Sequence, residues 1–371
     1  NEVIALAVSR YPSYATYLGR PGGERDMDDH SPDALKQDRD DAASAKAKLE
    51  ALTPQDDVDE VTKDALLQSL NKEIRTYESG LYFRNMNNIA SPAQDVRSIF
   101  DISPTATEQD WDNLASRMHK VGKALEGYAQ TLRVGISNND APARRQVEEV
   151  LGQVKQITAD NGFFREFAKN AKAQSGELPE SLRAELAKAA EAATEGYAKF
   201  GEFLTQELLP KANAKDAIGK ERYKLLSERF LGAVIDPDET YEWGKEELAR
   251  IVKEQTEVAN QIKPGATVAE AVEILDKDPS KKLHGTDALQ AWMQKLSDQA
   301  IEKLSGTHFD IAEPLKKLEC MIAPTKHGGI YYTGPTDDFS RPGRMWWSVP
   351  EGVNEFNTWR ETTTVYHEGV P

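Results

Sequence analysis

The stretch DWDNLASRMHKVGKALEGYAQTLRVGI, residues 110–136, decides the fold class. Its large apolar residues recur every three or four positions, so they share one face of a helix about seven turns long. These residues are Trp111, Leu114, Met118, Val121, Leu125, Tyr128 and Leu132. Such a helix must pack its apolar face against other helices. The stretch therefore predicts a protein built mainly from packed α-helices.

The same spacing of apolar residues recurs along most of the chain. It predicts further helices over residues 31–52, 59–82, 143–159, 179–209, 220–231, 237–262, 268–275 and 287–304. We find no fixed-period repeat and no linker rich in Gly and Ser. The predicted fold is mainly α, a large multi-helix assembly. We expect an N-terminal helical region over residues 1–213 and a second region over residues 214–371.

Length, composition and charge narrow the function classes. The chain has 371 residues, with 46 Lys+Arg against 62 Asp+Glu and a formal net charge of −16. An acidic surface repels phosphate backbones and anionic lipids, so we expect neither nucleic acid nor membrane as a partner. A single cysteine, Cys320, excludes an intrachain disulfide. With no basic leader and no long apolar run we expect a cytoplasmic protein, although the chain does not begin with Met and a leader could have been removed.

The character of the sequence changes after Ala312, where Gly and Pro interrupt aromatic and β-branched residues. Residues 329–335, GIYYTGP, indicate a short strand with a turn behind it, and residues 344–349, RMWWSV, indicate a second strand. Between them lies a loop that contains Arg341. We therefore expect a small β-hairpin over about residues 328–349.

The last segment of the chain contains the candidate catalytic residues. The spacing predicts a helix over residues 358–371, opened by a capping box in which Thr358 caps the helix and Glu361 reaches back. Positions 359, 363, 366, 367 and 370 share one face, and their aromatic residues favour an inward orientation for that face. His367 would then point inward, followed at once by Glu368. A histidine followed by glutamate is the first half of a zinc-peptidase helix.

A buried structural histidine is the commoner explanation of a His-Glu pair, and spacing alone does not exclude it. The usual zinc motif needs a second histidine four residues later, where this chain has Pro371. A proline there would clash with the carbonyl of His367, so we expect a kink or bulge at this point. The chain also stops within a helix, from which we expect a longer, truncated protein.

The segment His367-Glu368-Gly369-Val370-Pro371 resembles the signature His-Glu-Gly-x-Pro-Gly-His of a bacterial family, domain of unknown function 885. The resemblance spans the chain. Other matching stretches are residues 15–19, 87–92, 285–289, 306–311, 331–335 and 339–343. Members of the family are regarded as zinc metallopeptidases, distantly similar to enzymes of the gluzincin and oligopeptidase type. The resemblance implies a fold of that type with the β-hairpin near the site.

By this resemblance, His367 matches the first zinc ligand and Glu368 the general base, with further ligands expected beyond Pro371. The implied activity is hydrolysis of small peptides by a metal-activated water. Tyr331 or Tyr332 would donate to the oxyanion, since strand alternation directs only one of them into a cleft. The backbone of Gly329 and Ile330 would pair with an extended peptide, and Arg341 would hold a substrate carboxylate.

Each of these roles has a plainer alternative. Both tyrosines are as well explained by packing, and Arg341 by a structural ion pair. His308 and His327 are candidates for supporting or substrate-binding groups, although solvated or core histidines are commoner. For the whole protein, the rival to a peptidase is a catalytically inactive helical scaffold that binds a peptide or protein. The fragment alone, with one ligand and the base, is expected to be inactive, and the sequence leaves its oligomeric state open.

Overall fold

The computed structural model describes residues 2–323 and 329–369 of the chain. Over these ranges the protein is mainly helical and carries two small sheets, so the predicted fold class is confirmed at that level. Contacts divide the chain into two compact units, residues 1–234 and 235–371, called unit 1 and unit 2 below.

Unit 1 is helical throughout. Its helices are α1 (Glu2–Arg10), α2 (Pro12–Leu18), α3 (Pro32–Glu50), α4 (Asp57–Glu78), α5 (Pro92–Ile102), α6 (Glu108–Ser137), α7 (Arg144–Thr158), α8 (Phe163–Lys169), α9 (Glu180–Phe203) and α10 (Lys220–Leu231). A 3-10 turn, Leu81–Arg84, follows α4, and α9 continues through a π turn, Leu204–Leu208, and a 3-10 turn, Leu209–Lys211. The stripe predicted over residues 110–136 lies on α6, and its seven large apolar residues are all buried.

The core of unit 1 is centred on the packing of α6 against α9. Two glycines meet at their crossing: a Cβ added at Gly196 would lie 2.7 Å from the Cα of Gly122. The backbones therefore approach more closely than any larger side chain allows. This contact brings Tyr128 and Phe200 into a stacked arrangement with ring centroids 5.5 Å apart.

A buried arginine fastens the N-terminal segment to α6. Arg117 is 1% exposed. It donates to the carbonyls of Gly23 at 2.8 Å and Asp26 at 3.0 Å, and to the hydroxyls of Thr16 and Ser103 at 2.9 Å each. Burial lowers the pKa of the guanidinium to about 10. The planar five-donor group can satisfy all four acceptors at once.

Helix α10 belongs to unit 1, so the division after Val234 lies later than the boundary expected at residue 213. Its residues form ion pairs with other parts of the unit. Arg222 lies 2.6 Å from Asp140, and Glu228 lies 2.8 Å from Arg75 of α4. The boundary could not be predicted from the spacing of apolar residues, because these contacts are made by charged side chains.

Unit 2 combines helices with short strands. Its helices are α11 (Pro237–Ile262), α12 (Val268–Lys277), α13 (Thr286–Leu304) and α14 (Thr358–Gly369). Its strands are β1 (Lys282–His284), β2 (Leu318–Ile322), β3 (Ile330–Thr333), β4 (Gly343–Trp347) and β5 (Glu355–Asn357), with 3-10 turns at Pro279–Lys281 and Glu313–Lys316. The antiparallel pair β1–β5 leads directly into α14.

The predicted β-hairpin is part of a larger, mixed sheet. Strands β3 and β4 pair antiparallel, as expected, but β4 also pairs in parallel with β2, which gives the order β2–β4–β3. The first residue predicted for the hairpin, Gly328, lies outside the described residues. One face of the sheet packs with α13 and α14 around a buried cluster that includes Leu289, Met345 and Val365.

Candidate active site

Helix α14 carries the predicted catalytic pair, and its start is fixed by a bond to the segment before β1. The Thr358 hydroxyl donates to the carbonyl of Lys281 at 3.0 Å. Thr358 is the first helical residue rather than the N-cap. The capping box expected between Thr358 and Glu361 is therefore wrong: the helix begins one residue too early for Thr358 to be its N-cap.

The buried face of α14 is not the one expected from the aromatic residues. Val365, 1% exposed, and Gly369 face the core, whereas Tyr366 and His367 are exposed. The inward orientation predicted for His367 is thus corrected by the structure. Trp359 is partly buried, and its indole Nε1 donates to Asp276 of α12 at 3.2 Å.

The end of α14 packs closely against α13 and β2. A Cβ added at Gly369 would lie 2.8 Å from the Ser297 hydroxyl and 3.3 Å from a methyl group of Leu318. Ser297 is fully buried and donates a hydrogen bond to the Gly369 carbonyl. This contact fixes the backbone directly after Glu368.

His367 and Glu368 therefore differ in their surroundings. The His367 side chain is 80% exposed and the Glu368 side chain 18% exposed, and Nε2 of the first lies 3.9 Å from Oε1 of the second. That separation is too long for a hydrogen bond. The imidazole is accessible to a ligand from solvent, while the carboxylate lies on the shielded flank of the helix.

The residues of the described chain do not make up a zinc site by themselves. In residues 2–323 and 329–369, no three His, Cys, Asp or Glu side chains are grouped so that they could hold a metal ion. Catalytic zinc takes three protein ligands as a rule. His367 supplies one ligand of the right type, and the others would have to come from outside these ranges. Pro371, the proline expected to kink or bulge the helix at His367, and His327 lie outside the described residues, and α14 is α-helical through Gly369.

The two candidate tyrosines lie on opposite faces of the sheet. Tyr332 pairs in register with Met345, whose side chain belongs to the cluster that packs with α14, and Tyr331 pairs with Trp346 on the other face. Tyr331 stacks on Trp346 with ring centroids 6.2 Å apart. Tyr332 is 46% exposed. From the sequence, either Tyr331 or Tyr332 could face the site. In the structure, Tyr332 is the one on the α14 side of the sheet.

The predicted substrate-binding residues lie at the β3–β4 hairpin. The carbonyl of Gly329 accepts from the N–H of Ser348 at 3.0 Å, and Ile330 packs against the core. Arg341 lies in the connecting loop, where its backbone N–H and carbonyl both bond to Thr336. In the same loop, hydrogen bonds from Thr336 and Ser340 lower the pKa of Asp338 to about 2. His308 is exposed beside Thr307.

Two residues of this region were missed in the sequence. Ser297 occupies a position of the α13 stripe where Leu289 and Met293 on one side and Ala300 on the other are buried. A polar residue in an apolar stripe was the available signal. Glu361, assigned only to a capping box, is a second carboxylate on the same flank of α14 as Glu368.

Fold and site together define a mainly helical protein with a small mixed sheet and a His-Glu pair near the end of its last described helix. The chain belongs to the family described as "Bacterial protein of unknown function (DUF885)", whose model matches residues 12–371. A search of curated proteins found no match. Among the described helices, none is long and apolar enough to cross a membrane.

Two solved structures show a similar fold. One is titled "The crystal structure of the putative lipoprotein from Colwellia psychrerythraea", with a TM-score of 0.77, 19% identity, and coverage of 100% of this chain and 71% of that chain. The other is "a putative lipoprotein of unknown function from Shewanella oneidensis", with a TM-score of 0.62, 14% identity, and coverage of 100% and 69%. At these identities the likeness concerns the fold.

Proposed function

We propose that this chain supplies the first part of the active site of a zinc-dependent peptidase that hydrolyses small peptides. The observation that carries the proposal is the pairing of an accessible imidazole, His367, with a shielded carboxylate, Glu368, on a helix end fixed by Ser297. An imidazole must reach solvent to take up a metal ion, and a general base works better when partly withdrawn from water. The match to the signature of the family adds support. The gluzincin or oligopeptidase type of architecture is part of this proposal.

In the proposed reaction the residues of this chain have distinct roles. Glu368 takes a proton from the water that attacks the peptide carbonyl. The phenol of Tyr332, on the α14 side of the sheet, donates to the oxyanion that forms. Zinc, held by His367 and by ligands outside the described residues, would act as a Lewis acid. Tyr331 is left with a packing role against Trp346.

The proposed contacts to the peptide use the β3–β4 hairpin. Gly329 and Ile330 lie at the start of β3, which is the last strand in the order β2–β4–β3. An extended peptide bound there would be recognised through its backbone. Arg341 would bind a carboxylate of the peptide, held in place by the backbone bonds of its loop to Thr336.

Three variants of the purified full-length protein, which supplies the zinc ligands expected beyond Pro371, test the proposal. Glu368→Gln keeps the shape of the side chain and removes its basicity, His367→Ala removes the imidazole, and Glu302→Gln alters an exposed carboxylate of α13 as the control. Hydrolysis is followed with a set of fluorogenic peptides, with added zinc and with a chelator, and zinc content is measured by mass spectrometry.

The proposal predicts chelator-sensitive hydrolysis that falls by at least about 100-fold in Glu368→Gln and persists in Glu302→Gln. His367→Ala should lower the zinc content. Hydrolysis that Glu368→Gln leaves unchanged would reject the role of Glu368. Peptide binding without any turnover in wild-type protein would favour the inactive scaffold instead.

The cytoplasmic location expected from the sequence stays a prediction. The titles of the two solved structures compared above both read "putative lipoprotein", which favours the alternative of a protein anchored at a membrane. Fractionation of cells that make the native protein, followed by detection with an antibody, separates the two.

A further inference from the structure

Gly343 is buried at the start of β4, where a larger side chain has no room. A Cβ added to it would lie 3.0 Å from both Cε2 and Cζ of the Tyr332 ring, and closer still to the Tyr332 hydroxyl. Non-bonded carbon atoms prefer separations of about 3.5–4.0 Å. The backbone of an extended strand accepts any residue with a side chain. The glycine is therefore needed because of the ring that lies over it, and not because of its own dihedral angles.

The ring of Tyr332 crosses β4 in the direction of β2. Tyr332 lies in β3 and pairs in register with Met345, whereas its phenol lies over Gly343, two residues away along β4. Gly343 in turn pairs with Leu318 of β2, and neighbouring strands are about 4.8 Å apart. Since the strand order is β2–β4–β3, the hydroxyl is the part of Tyr332 that reaches furthest towards β2.

Leu318 connects this position to the end of the helix that carries the His-Glu pair. Its residue is 8% exposed, and one of its methyl groups would lie 3.3 Å from a Cβ added at Gly369, the residue after Glu368. The Tyr332 hydroxyl, Gly343 and Leu318 are thus successive neighbours across the sheet. The last of them contacts the end of α14.

We propose that Gly343 is a positioning residue, which lets the Tyr332 hydroxyl reach across β4 towards the end of α14. The inference rests on the proposed function, in which this hydroxyl donates to the oxyanion. Such a donor acts when it lies about 2.7–3.1 Å from the oxygen. A methyl group at position 343 would displace Cζ of the ring by at least about 0.5 Å, which is enough to disrupt a contact of this kind.

Variants of the purified full-length protein test the proposal. They are Gly343→Ala, Tyr332→Phe and the double variant, with Gly244→Ala of α11 as the matched control, because a Cβ added at Gly244 would have nothing within 4 Å. The values of kcat and KM are measured with a fluorogenic peptide. The position of the phenol is followed separately, as the rate at which tetranitromethane nitrates Tyr332. Peptide mass spectrometry maps the nitration, with the exposed Tyr223 as the internal reference.

We expect Gly343→Ala and Tyr332→Phe each to lower kcat by at least about tenfold, with KM changed by less than about threefold. The double variant should be no slower than the slower single variant, because both changes remove the same interaction. Nitration of Tyr332 should be at least about twofold faster in Gly343→Ala, and Gly244→Ala should match wild type in both measurements. The proposal is overturned if Gly343→Ala leaves kcat or the nitration rate unchanged, or if the losses in kcat multiply in the double variant.

A thermal melt of each variant shows whether it is folded. If Gly343→Ala melts well below wild type, the same substitution is measured in a Tyr332→Ala background, where the ring is absent. The proposal then requires that Gly343→Ala lower the melting temperature only when the ring is present. An equal decrease in both backgrounds would overturn it.

Failure of this proposal is distinguishable from failure of the proposed function. Hydrolysis that requires Glu368 and is unchanged in Gly343→Ala rejects only the positioning role. If wild type hydrolyses no peptide while Gly343→Ala speeds the nitration of Tyr332, the peptidase is rejected, and the placement of the phenol over Gly343 is retained.

Discussion

The hydroxyl of Ser297, in the middle of α13, donates a 3.2 Å hydrogen bond to the backbone carbonyl of Gly369, the residue after Glu368. Ser297 is fully buried and Gly369 is buried with it. One side chain of α13 therefore holds the backbone directly after Glu368.

Ser297→Ala should loosen the end of α14. The substitution removes the hydrogen bond that Ser297 donates to this buried carbonyl, which costs about 1–2 kcal/mol. Hydrogen exchange followed by mass spectrometry should show faster exchange in peptides that cover residues 358–369. The control is Thr256→Ala in α11, whose hydroxyl bonds only to its own helix at Val252. Equal exchange rates in Ser297→Ala and wild type would show that this bond does not hold the helix end.

Gly369→Ala should destabilise the folded protein, because its new side chain would clash with Ser297. The new Cβ would lie 2.8 Å from the Ser297 hydroxyl, whereas the Cβ of Ser297 would be 3.6 Å away. Removing the hydroxyl therefore removes the closest clash. In a double-mutant cycle, Gly369→Ala should destabilise the Ser297→Ala background by about 1 kcal/mol less than it destabilises wild type. Additive effects would contradict the predicted clash.

The helices could be predicted from the sequence because their signal is local. The stripe from Trp111 to Leu132 repeats at the helical period, and α6 spans it. Strand β2 was missed because its five residues show no such period and its partner, β4, lies more than twenty residues later in a parallel pairing. Pairing between strands that are far apart in the sequence cannot be detected from a short stretch of residues.

The orientation of α14 could not be predicted for a different reason. Aromatic residues suggested that the face of Trp359 and Tyr366 is buried, but the closest contact of the helix is made by Gly369. A residue without a side chain adds nothing to an apolar pattern, although it permits the tightest packing. The His-Glu pair itself was visible in the sequence, whereas the hydrogen bond from Ser297 to Gly369 required the tertiary structure.

Gly196→Ala should destabilise unit 1 at the crossing of α6 and α9. The added methyl group would lie 2.7 Å from the Cα and 2.9 Å from the N of Gly122, and backbone atoms cannot rotate away. We expect a loss of about 1–3 kcal/mol, seen as a lower melting temperature by circular dichroism. Gly152→Ala is the control: Gly152 is exposed in α7 with nothing within 4 Å, so this change should stabilise by up to about 1 kcal/mol. Similar melting temperatures for the two variants would contradict the close approach.

Cys320 should resist alkylation in the folded protein. It is 2% exposed in β2, and burial raises the pKa of its thiol to about 12. The reactive thiolate is therefore scarce at pH values of about 8, where an ordinary thiol of pKa near 8.5 is partly ionised. Iodoacetamide should label the chain slowly in buffer and rapidly in guanidinium chloride. Since the chain has a single cysteine, intact mass reports its modification directly, and rapid labelling in buffer would contradict the burial of β2.

Arg117→Lys should release the N-terminal segment even though it keeps the charge. The guanidinium serves four acceptors on three separate parts of the chain, namely Thr16, the carbonyls of Gly23 and Asp26, and Ser103. An ammonium group cannot span them, so at least one buried carbonyl loses its donor, at a cost of about 1–3 kcal/mol. Hydrogen exchange followed by mass spectrometry should then be faster than in wild type in peptides that cover residues 12–26. Arg25→Lys alters exposed contacts with Asp112 and Asn113 and should leave that exchange unchanged, because surface pairs contribute little. Equal exchange rates in Arg117→Lys and wild type would mean that other contacts hold the segment in place.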